Sequence, residues 1–227
     1  MLGTIVNVIT IIIGTFLGII LKKGIKDKYK NTIMDGIGLS VSIIGITGAI
    51  ETNNIILVII SVVIGSIIGE MIDIDLRLDN LGHTMESKFG KGDSNFSKGF
   101  VTASLIYLIG AMAVVGSLES GLTGNHETLF AKSILDGIMS IVLGSTLGIG
   151  VAFSTIPVFI YQGAITLLAS SVKDLLTPAA VTEMSAVGGI LILAIGLNQL
   201  GLKKIKVANM LPAIFIPILY YGILNIM

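Results

Sequence analysis

The sequence repeats one nine-residue pattern three times: residues 10–18 read TIIIGTFLG, residues 61–69 read SVVIGSIIG, and residues 140–148 read SIVLGSTLG. In each copy a hydroxyl residue precedes three aliphatic residues, and two glycines follow four positions apart. Glycines at i and i+4 share one face of a helix, where they let a second backbone approach closely. The pattern predicts apolar helices that pack tightly, and it makes their glycine-rich faces candidates for contact within a homo-oligomer.

The composition of the whole chain is typical of helices in lipid. The mean hydropathy is +0.98, and 12% of the 227 residues are charged, where soluble domains have about 25%. Fourteen basic residues balance fourteen acidic ones, so no positive field attracts nucleic acid. The chain has no cysteine, which excludes disulfides, cysteine-ligated zinc and a thiol nucleophile. We therefore predict a multi-span membrane protein and exclude a soluble enzyme, a nucleic-acid binder and a disordered chain.

Runs of about 20 apolar residues, the length that crosses a bilayer as a helix, divide the chain into eight predicted spans. The spans are residues 2–21, 34–50, 54–72, 99–118, 131–153, 155–172, 185–201 and 206–226. The long run 131–172 is divided near Pro157, because proline suits a first helical turn; a span followed by a re-entrant segment is the alternative. The expected fold is an all-α polytopic transmembrane bundle of about eight spans, with residues 1–227 forming a single integral membrane domain.

The basic residues orient these spans. With the even-numbered connections outside, 12 of the 14 Lys and Arg are cytoplasmic, and the exceptions are Lys132 and Lys173. This asymmetry is what the positive-inside rule requires. It predicts the bacterial cytoplasmic (inner) membrane, with both termini extracytoplasmic. Residues 73–98 form a cytoplasmic interfacial connector, predicted as an amphipathic helix from Leu78 followed by a flexible stretch over residues 90–94.

A second resemblance inside the chain relates spans of opposite orientation. Gly38 and Gly45 in span 2 have the spacing of Gly189 and Gly196 in span 7. Matching spans 1–3 to spans 6–8 gives an inverted-topology repeat, an arrangement typical of secondary transporters. Spans 2 and 7 are also the shortest and the most interrupted by glycine, which is where transporters break helices around a solute.

The sequence contains none of the familiar catalytic signatures: no HExxH, no Gly-x-Ser-x-Gly elbow and no phosphate-binding loop. We predict no enzyme activity, no catalytic or metal site and no cofactor. Polar residues inside the spans are therefore the candidate site, because each is costly to insert into lipid. The candidate solute ligands are Asn7, Ser104, Tyr107, Gln162, Asn198 and Asn209.

Two charged residues inside span 5 form the second candidate site. Lys132 and Asp136 are four residues apart, so they share one helix face. We predict that they act as an outer gate or as the site of a coupling ion. The alternative is a mutually neutralised pair in which the lysine extends outward to water.

Several strings of these residues together resemble one known family. They are residues 3–7 (GTIVN), 104–107 (SLIY) with Gly110 and Met112, 132–136 (KSILD), 161–163 (YQG) and 207–213 (VANMLPA). The chain is similar over essentially its whole length to the YqgA/YdfK-like bacterial membrane proteins, domain-of-unknown-function family 554. The resemblance implies a multi-span inner-membrane protein, usually labelled a transporter, and assigns no substrate or functional residue.

The leading functional hypothesis is a small-solute transporter, a secondary carrier. The in-span polar groups are mostly neutral, which favours a small neutral, zwitterionic or cationic solute over a strongly anionic one. One alternative is an oligomeric ion channel, which requires a continuous polar pore. The other is a non-transporting scaffold or lipid-binding protein, in which the in-span amides should pair from helix to helix. The expected partners are the lipid bilayer and a small solute or ion, with a homo-oligomer as a candidate assembly and no nucleic acid.

Overall fold

The structure is a computed structural model that describes residues 1–22, 27–89, 95–108, 111–172 and 176–224. These residues are helical nearly throughout and contain no strand. The helices are α1 (Leu2–Lys22), α2 (Asp27–Ile50), α3 (Ile55–Ile72), α4 (Ile74–Phe89), α5 (Phe96–Leu108), α6 (Ala111–Leu122), α7 (Glu127–Leu147), α8 (Gly150–Phe153), α9 (Thr155–Leu167), α10 (Ala169–Val172), α11 (Pro178–Gln199), a 3-10 helix (Val207–Phe215) and α12 (Ile216–Leu224).

Six helical segments of the described chain have the length and apolar character to cross a membrane. They are Leu2–Leu21, Ile55–Ile72, Glu127–Leu147, Gly150–Leu167, Pro178–Gln199 and Val207–Leu224. Helices α5 and α6 qualify only as a pair bent by 62°, and α2 contributes a shorter apolar stretch, Gly38–Ile50. The all-α multi-span fold is therefore confirmed. Each predicted span overlaps one of these segments, while the count of eight stays a prediction.

The described helices pack into two compact units. The first unit contains α1, α5, α7–α9 and all of α6 except Ala111, and the second contains α3, α11, the 3-10 helix and α12. Helices α2, α4 and α10 have residues in both units, because the divisions fall after Met34, after Arg77 and after Ser170. The prediction of one integral domain over residues 1–227 stays a prediction, and each unit is described by itself.

Helices α1 and α7 of the first unit pack against each other and run parallel. A Cβ atom added at Gly3 would lie 2.7 Å from the Leu129 side chain, and one added at Gly18 would lie 2.2 Å from the Ile141 carbonyl oxygen. Backbones this close leave no room for a side chain. The predicted close packing of the first and third glycine repeats thus occurs within one chain. The parallel direction is also the one that the predicted topology requires of spans 1 and 5.

Helix α3 packs through the second glycine repeat against the 3-10 helix of the second unit. A Cβ added at Gly69 would lie 1.8 Å from the Asn209 carbonyl oxygen, and one at Gly65 would lie 2.2 Å from the Ala213 nitrogen. The two helices are therefore antiparallel. Pro212 lies inside the 3-10 helix, and its missing N–H cannot sustain α-helical hydrogen bonding there.

Helices α2 and α11 cross through the four glycines that suggested the inverted repeat. A Cβ on Gly45 would lie 2.8 Å from the Gly189 carbonyl oxygen, and a Cβ on Gly196 would lie 2.9 Å from the Gly38 carbonyl oxygen. The repeat matches Gly38 to Gly189 and Gly45 to Gly196. Under this match the contact between Gly45 and Gly189 corresponds to the contact between Gly196 and Gly38. The crossing is antiparallel and reciprocal, as an inverted repeat requires, although the full correspondence of spans 1–3 with spans 6–8 stays a prediction.

The end of α7 corrects a predicted boundary. The sequence predicts span 5 over residues 131–153, with a break near Pro157. The helix instead runs from Glu127 to Leu147 and ends at Gly148, whose φ is +78°. Glycine adopts this backbone conformation without steric penalty, so the last glycine of the third repeat ends the helix and does not extend its packing face. Asp136 consequently lies nine residues from the start and eleven from the end of α7, near its middle.

The connector over residues 73–98 is helical earlier than predicted. Asp73 has a φ of 54° and caps α3, and α4 begins at Ile74, four residues before the predicted start at Leu78. The predicted flexible stretch over residues 90–94 lies outside the described residues. Four basic residues that enter the orientation of the chain, Lys23, Lys26, Lys91 and Lys173, lie outside the described residues as well.

Candidate functional site

The buried face of α7 contains an ion pair between Lys132 and Asp136. The Lys132 Nζ donates to Asp136 Oδ1 at 2.9 Å and to Oδ2 at 2.7 Å. The two residues are only 6% and 7% exposed. The mutual neutralisation that the alternative describes is therefore present, although the lysine is buried and does not extend outward to water, and the role as a gate or coupling-ion site stays a prediction. Removing charges from water is costly even when they pair, and charged groups inside spans commonly mark solute or ion pathways.

Asn7 of α1 completes this site from a second helix. Its Nδ2 donates to Asp136 Oδ2 at 3.0 Å, and the residue is fully buried. A carboxylate only accepts hydrogen bonds, so the amide nitrogen must face Asp136 and the amide oxygen must face away. The Asn7 Oδ1 has no hydrogen-bond partner in the described structure. We call Asn7, Lys132 and Asp136 together the Asp136 site.

A second buried polar pair lies one turn further along α7. The Tyr107 hydroxyl of α5 and the Ser140 hydroxyl are 2.7 Å apart, and the Ser140 Oγ donates to the Asp136 carbonyl oxygen at 2.7 Å. Tyr107 is thus joined to the backbone of the Asp136 site through Ser140. Ser104, another predicted ligand, donates to the Phe100 carbonyl oxygen at 2.6 Å, so its proton is engaged within its own helix.

Gln162 of α9 differs from the other predicted ligands because nothing in the described structure bonds to its amide. The residue is 0% exposed, and neither Nε2 nor Oε1 has a partner. A buried polar group without a partner costs about 1–3 kcal/mol. With the two atoms of Gln162 included, six buried polar atoms without a partner lie on three helices of the first unit. They are Thr4 Oγ1, Asn7 Oδ1, Ser117 Oγ, Gln162 Nε2, Gln162 Oε1 and Thr166 Oγ1. We call these six atoms the unpaired set.

The two remaining predicted ligands lie in the second unit, and both amides have structural partners. Asn198 Nδ2 donates to the Ile205 carbonyl oxygen at 2.7 Å, and its Oδ1 accepts from the Ile205 N–H at 2.7 Å. The Asn209 amide bonds Glu70 Oε2 at 2.6 Å and the Asp75 N–H at 2.7 Å. These bonds hold connections between helices, so a solute-binding role for Asn198 and Asn209 stays a prediction that the geometry does not favour.

Sequence reasoning missed what the carboxylates of the second unit do. Glu183 of α11 accepts from the Asn53 N–H at 2.9 Å and from the Thr52 hydroxyl. It thereby holds the turn between α2 and α3. At another connection Glu70 accepts from Lys206 Nζ at 2.6 Å, and this hydrogen bond raises the pKa of Lys206 above its ordinary value. No local pattern links residues so far apart in the sequence.

Comparison with known proteins gives a family but no activity. A family model described as "Protein of unknown function (DUF554)" matches residues 2–222. The "Uncharacterized membrane protein YdfK" of Bacillus subtilis is 39% identical, over 96% of this chain and 94% of its own length. The "Uncharacterized protein YqgA" of Escherichia coli is 27% identical, over 95% of this chain and 94% of its own length. No solved structure shows significant similarity to the chain.

Proposed function

The chain belongs to the DUF554 family, and from that premise we propose that this membrane protein is a small-solute transporter, a secondary carrier whose solute site lies in the first unit. The proposed ligands are the Asp136 site, Tyr107 and Gln162. The carrier is proposed to perform no chemistry on its solute. Its proposed location is the bacterial inner membrane, with both termini extracytoplasmic.

One observation supports the proposal above the others: the Gln162 amide is fully buried and has no hydrogen-bond partner in the described structure. Helix-to-helix adhesion would explain a buried amide that bonds a neighbouring helix, as in the scaffold alternative. It does not explain an amide that bonds nothing and leaves its desolvation uncompensated. A bound solute would compensate this cost, since a cation or a hydrogen-bond donor would satisfy the Gln162 Oε1 and an acceptor would satisfy its Nε2.

The charges of the first unit indicate the class of solute. Lys132 and Asp136 neutralise each other, and the unpaired set consists of hydroxyl and amide atoms. Polar groups of this kind suit a small neutral, zwitterionic or cationic solute. A strongly anionic solute would require a second buried cation, because Lys132 is already bound by Asp136.

A screen followed by an uptake assay tests the proposal. The purified protein is first screened by thermal shift against amino acids, polyamines and alkali cations. Each stabilising solute is then measured for uptake into liposomes that contain the wild-type protein, Asp136→Asn or Ser61→Ala. Ser61 Oγ is a buried unpartnered hydroxyl of the second unit, so Ser61→Ala is the matched control. We expect saturable uptake by the wild type and Ser61→Ala, and its loss in Asp136→Asn.

The same assay separates the alternatives. Flux that does not saturate and that follows the membrane potential would support the ion channel instead. Stabilisation by no small solute, with uptake no faster than in empty liposomes, would support the non-transporting scaffold.

The absence of cysteine in the sequence makes the proposed orientation simple to test. Thr123 and Lys203 are exposed, and the proposed topology places them outside and inside the cell, respectively. Thr123→Cys should react with an impermeant maleimide in intact cells, and Lys203→Cys should react only after lysis. Equal reaction of both variants in intact cells would contradict the orientation without affecting the transport proposal.

A further inference from the structure

Lys132 is bound to Asp136 in an order that helix geometry disfavours. Side chains on a helix lean toward its N-terminus, whereas Lys132 must reach one turn toward the C-terminus to bond Asp136. For this reason a pair with the acid first and the lysine four residues later is the stronger arrangement. Because both residues are on α7, the bond between Lys132 and Asp136 joins no two helices, and its release by itself separates no helix pair.

A second carboxylate is positioned one turn toward the N-terminus of α7. Thr128, four residues before Lys132, donates its hydroxyl proton to Glu119 Oε2 of α6 at 2.6 Å. Residues four apart on a helix are neighbours on one face, so a Lys132 side chain that leans toward the N-terminus approaches this carboxylate. Glu119 and Thr128 are half-buried, and the ammonium would be better hydrated there than beside Asp136.

Departure of Lys132 would leave oxygen ligands behind at the Asp136 site. Asp136 would keep its hydrogen bond from Asn7 Nδ2, which fixes the carboxylate. The carboxylate oxygens that Lys132 now occupies are hard ligands of the kind that a monovalent cation or an ammonium group takes.

From this geometry, and resting on the proposed transport function, we infer that Lys132 is a tethered cation that occupies Asp136 in the empty carrier. The solute is a small monovalent cation, an alkali ion or a primary ammonium, which takes the place of Lys132 while the lysine moves toward Glu119. The Asp136 site is then electrically compensated both when loaded and when empty. A bare carboxylate would have to cross the low-dielectric interior at a large cost, and Lys132 removes that cost from the return of the empty carrier.

The inference predicts that removing the Lys132 charge affects net uptake and exchange differently. In Lys132→Gln a loaded carrier still crosses, because the solute compensates Asp136, but the empty carrier returns with an uncompensated carboxylate. We expect net uptake of 86Rb⁺ or of labelled methylammonium to fall roughly a hundredfold. Exchange of the same ion between loaded compartments should stay within about twofold of wild type. In Asp136→Asn both should be lost.

Three outcomes of that experiment would overturn the inference while leaving transport established. They are unchanged net uptake in Lys132→Gln, loss of its exchange together with its net uptake, and a wild type that moves a neutral solute but neither cation. Failure of the wild-type protein to move any solute would instead overturn the proposed function. The two probes distinguish an alkali-ion carrier from an ammonium carrier. An ammonium carrier moves methylammonium, and Rb⁺ at equal concentration does not inhibit that uptake.

A labelling experiment on the wild type requires no variant to fold. An amine-acetylating reagent is applied to the purified protein with and without RbCl or methylammonium chloride, at constant ionic strength set with a bulky cation. Modification of Lys132 is then quantified by mass spectrometry, with exposed Lys98 as the reference. We expect Lys132 modification to rise severalfold with the transported cation while Lys98 stays constant. A Lys132 that stays equally unreactive at saturating concentrations of both cations would overturn the inference.

Discussion

The two units of the molecule place their polar groups differently. In the first unit they lie along helix interiors, as at Asp136 near the middle of α7. In the second unit the carboxylates lie at connections, where Glu183 holds the α2–α3 turn and Glu70 bonds Lys206. Of the seven buried side-chain atoms without a partner among the described residues, six are in the first unit and one, Ser61 Oγ, is in the second. The carboxylates of the second unit thus stabilise connections between helices. The polar groups of the first unit lie inside apolar helices, where their burial is most costly.

The largest expected effect breaks the ion pair of the first unit. Lys132→Gln and Asp136→Asn should each lower the free energy of unfolding by about 3–5 kcal/mol, because each leaves one buried charge uncompensated. The double variant should lose less than either single variant, since it leaves no charge. Unfolding by denaturant titration in detergent micelles measures all three.

The matched control for that prediction is Glu70→Gln in the second unit. Glu70 and Lys206 form an exposed ion pair. Breaking it should lower the free energy of unfolding far less than breaking the buried pair does. An equal decrease in the free energy of unfolding on breaking either pair would contradict the proposed difference between the units.

The second effect concerns the glycine packing of the second unit. In Gly45→Ala the new Cβ would lie 2.3 Å from the Leu193 nitrogen, and we expect α2 and α11 to separate at a cost of about 1–3 kcal/mol. Gly36→Ala, on the same helix, is the control because no atom lies within 4 Å of its new Cβ. Alanine there should leave stability unchanged or raise it by up to about 1 kcal/mol. Thermal unfolding of both variants checks the difference, and equal losses would contradict the close packing.

The smallest expected effect is a pH dependence at the exposed pair of the second unit. The hydrogen bond from Lys206 to Glu70 raises the pKa of Lys206 above its ordinary value of 10.5. Its stabilisation is therefore complete below that value and is lost as the pH rises through the raised pKa. The Tm difference between the wild type and Lys206→Gln should be small at pH 8 and should vanish at strongly alkaline pH. A difference that grows with pH would contradict the assignment.

Local patterns predicted the ion pair of the first unit, because the period of a helix alone determines which residues share a face. Lys132 and Asp136 had to share a face at any register of α7, and their pairing followed from their spacing. The link from Asn7 to Asp136 joins residues 129 positions apart and depends on the register of α1 against α7. That register is set by tertiary packing, so the sequence could mark Asn7 as a candidate but could not indicate its partner.

Boundaries were predicted less well for a related reason. The glycine at position 148 fitted a repeat of packing glycines, and only its positive φ shows that it ends the helix. The sequence also placed Asn198 and Asn209 with the solute ligands, because an amide that holds a connection and one that awaits a solute look alike in a sequence. Their hydrogen bonds distinguish them.

The most direct test of the difference between the units is a paired measurement on Gln162→Leu, with Ser61→Ala as the control. Because no described atom bonds the Gln162 amide, replacing it with an apolar side chain of similar size should raise the free energy of unfolding by about 1 kcal/mol. The same variant should lose solute uptake, whereas Ser61→Ala should keep it. A Gln162→Leu protein that is less stable than the wild type, or that transports as well, would contradict the claim that the first unit retains this amide for a solute.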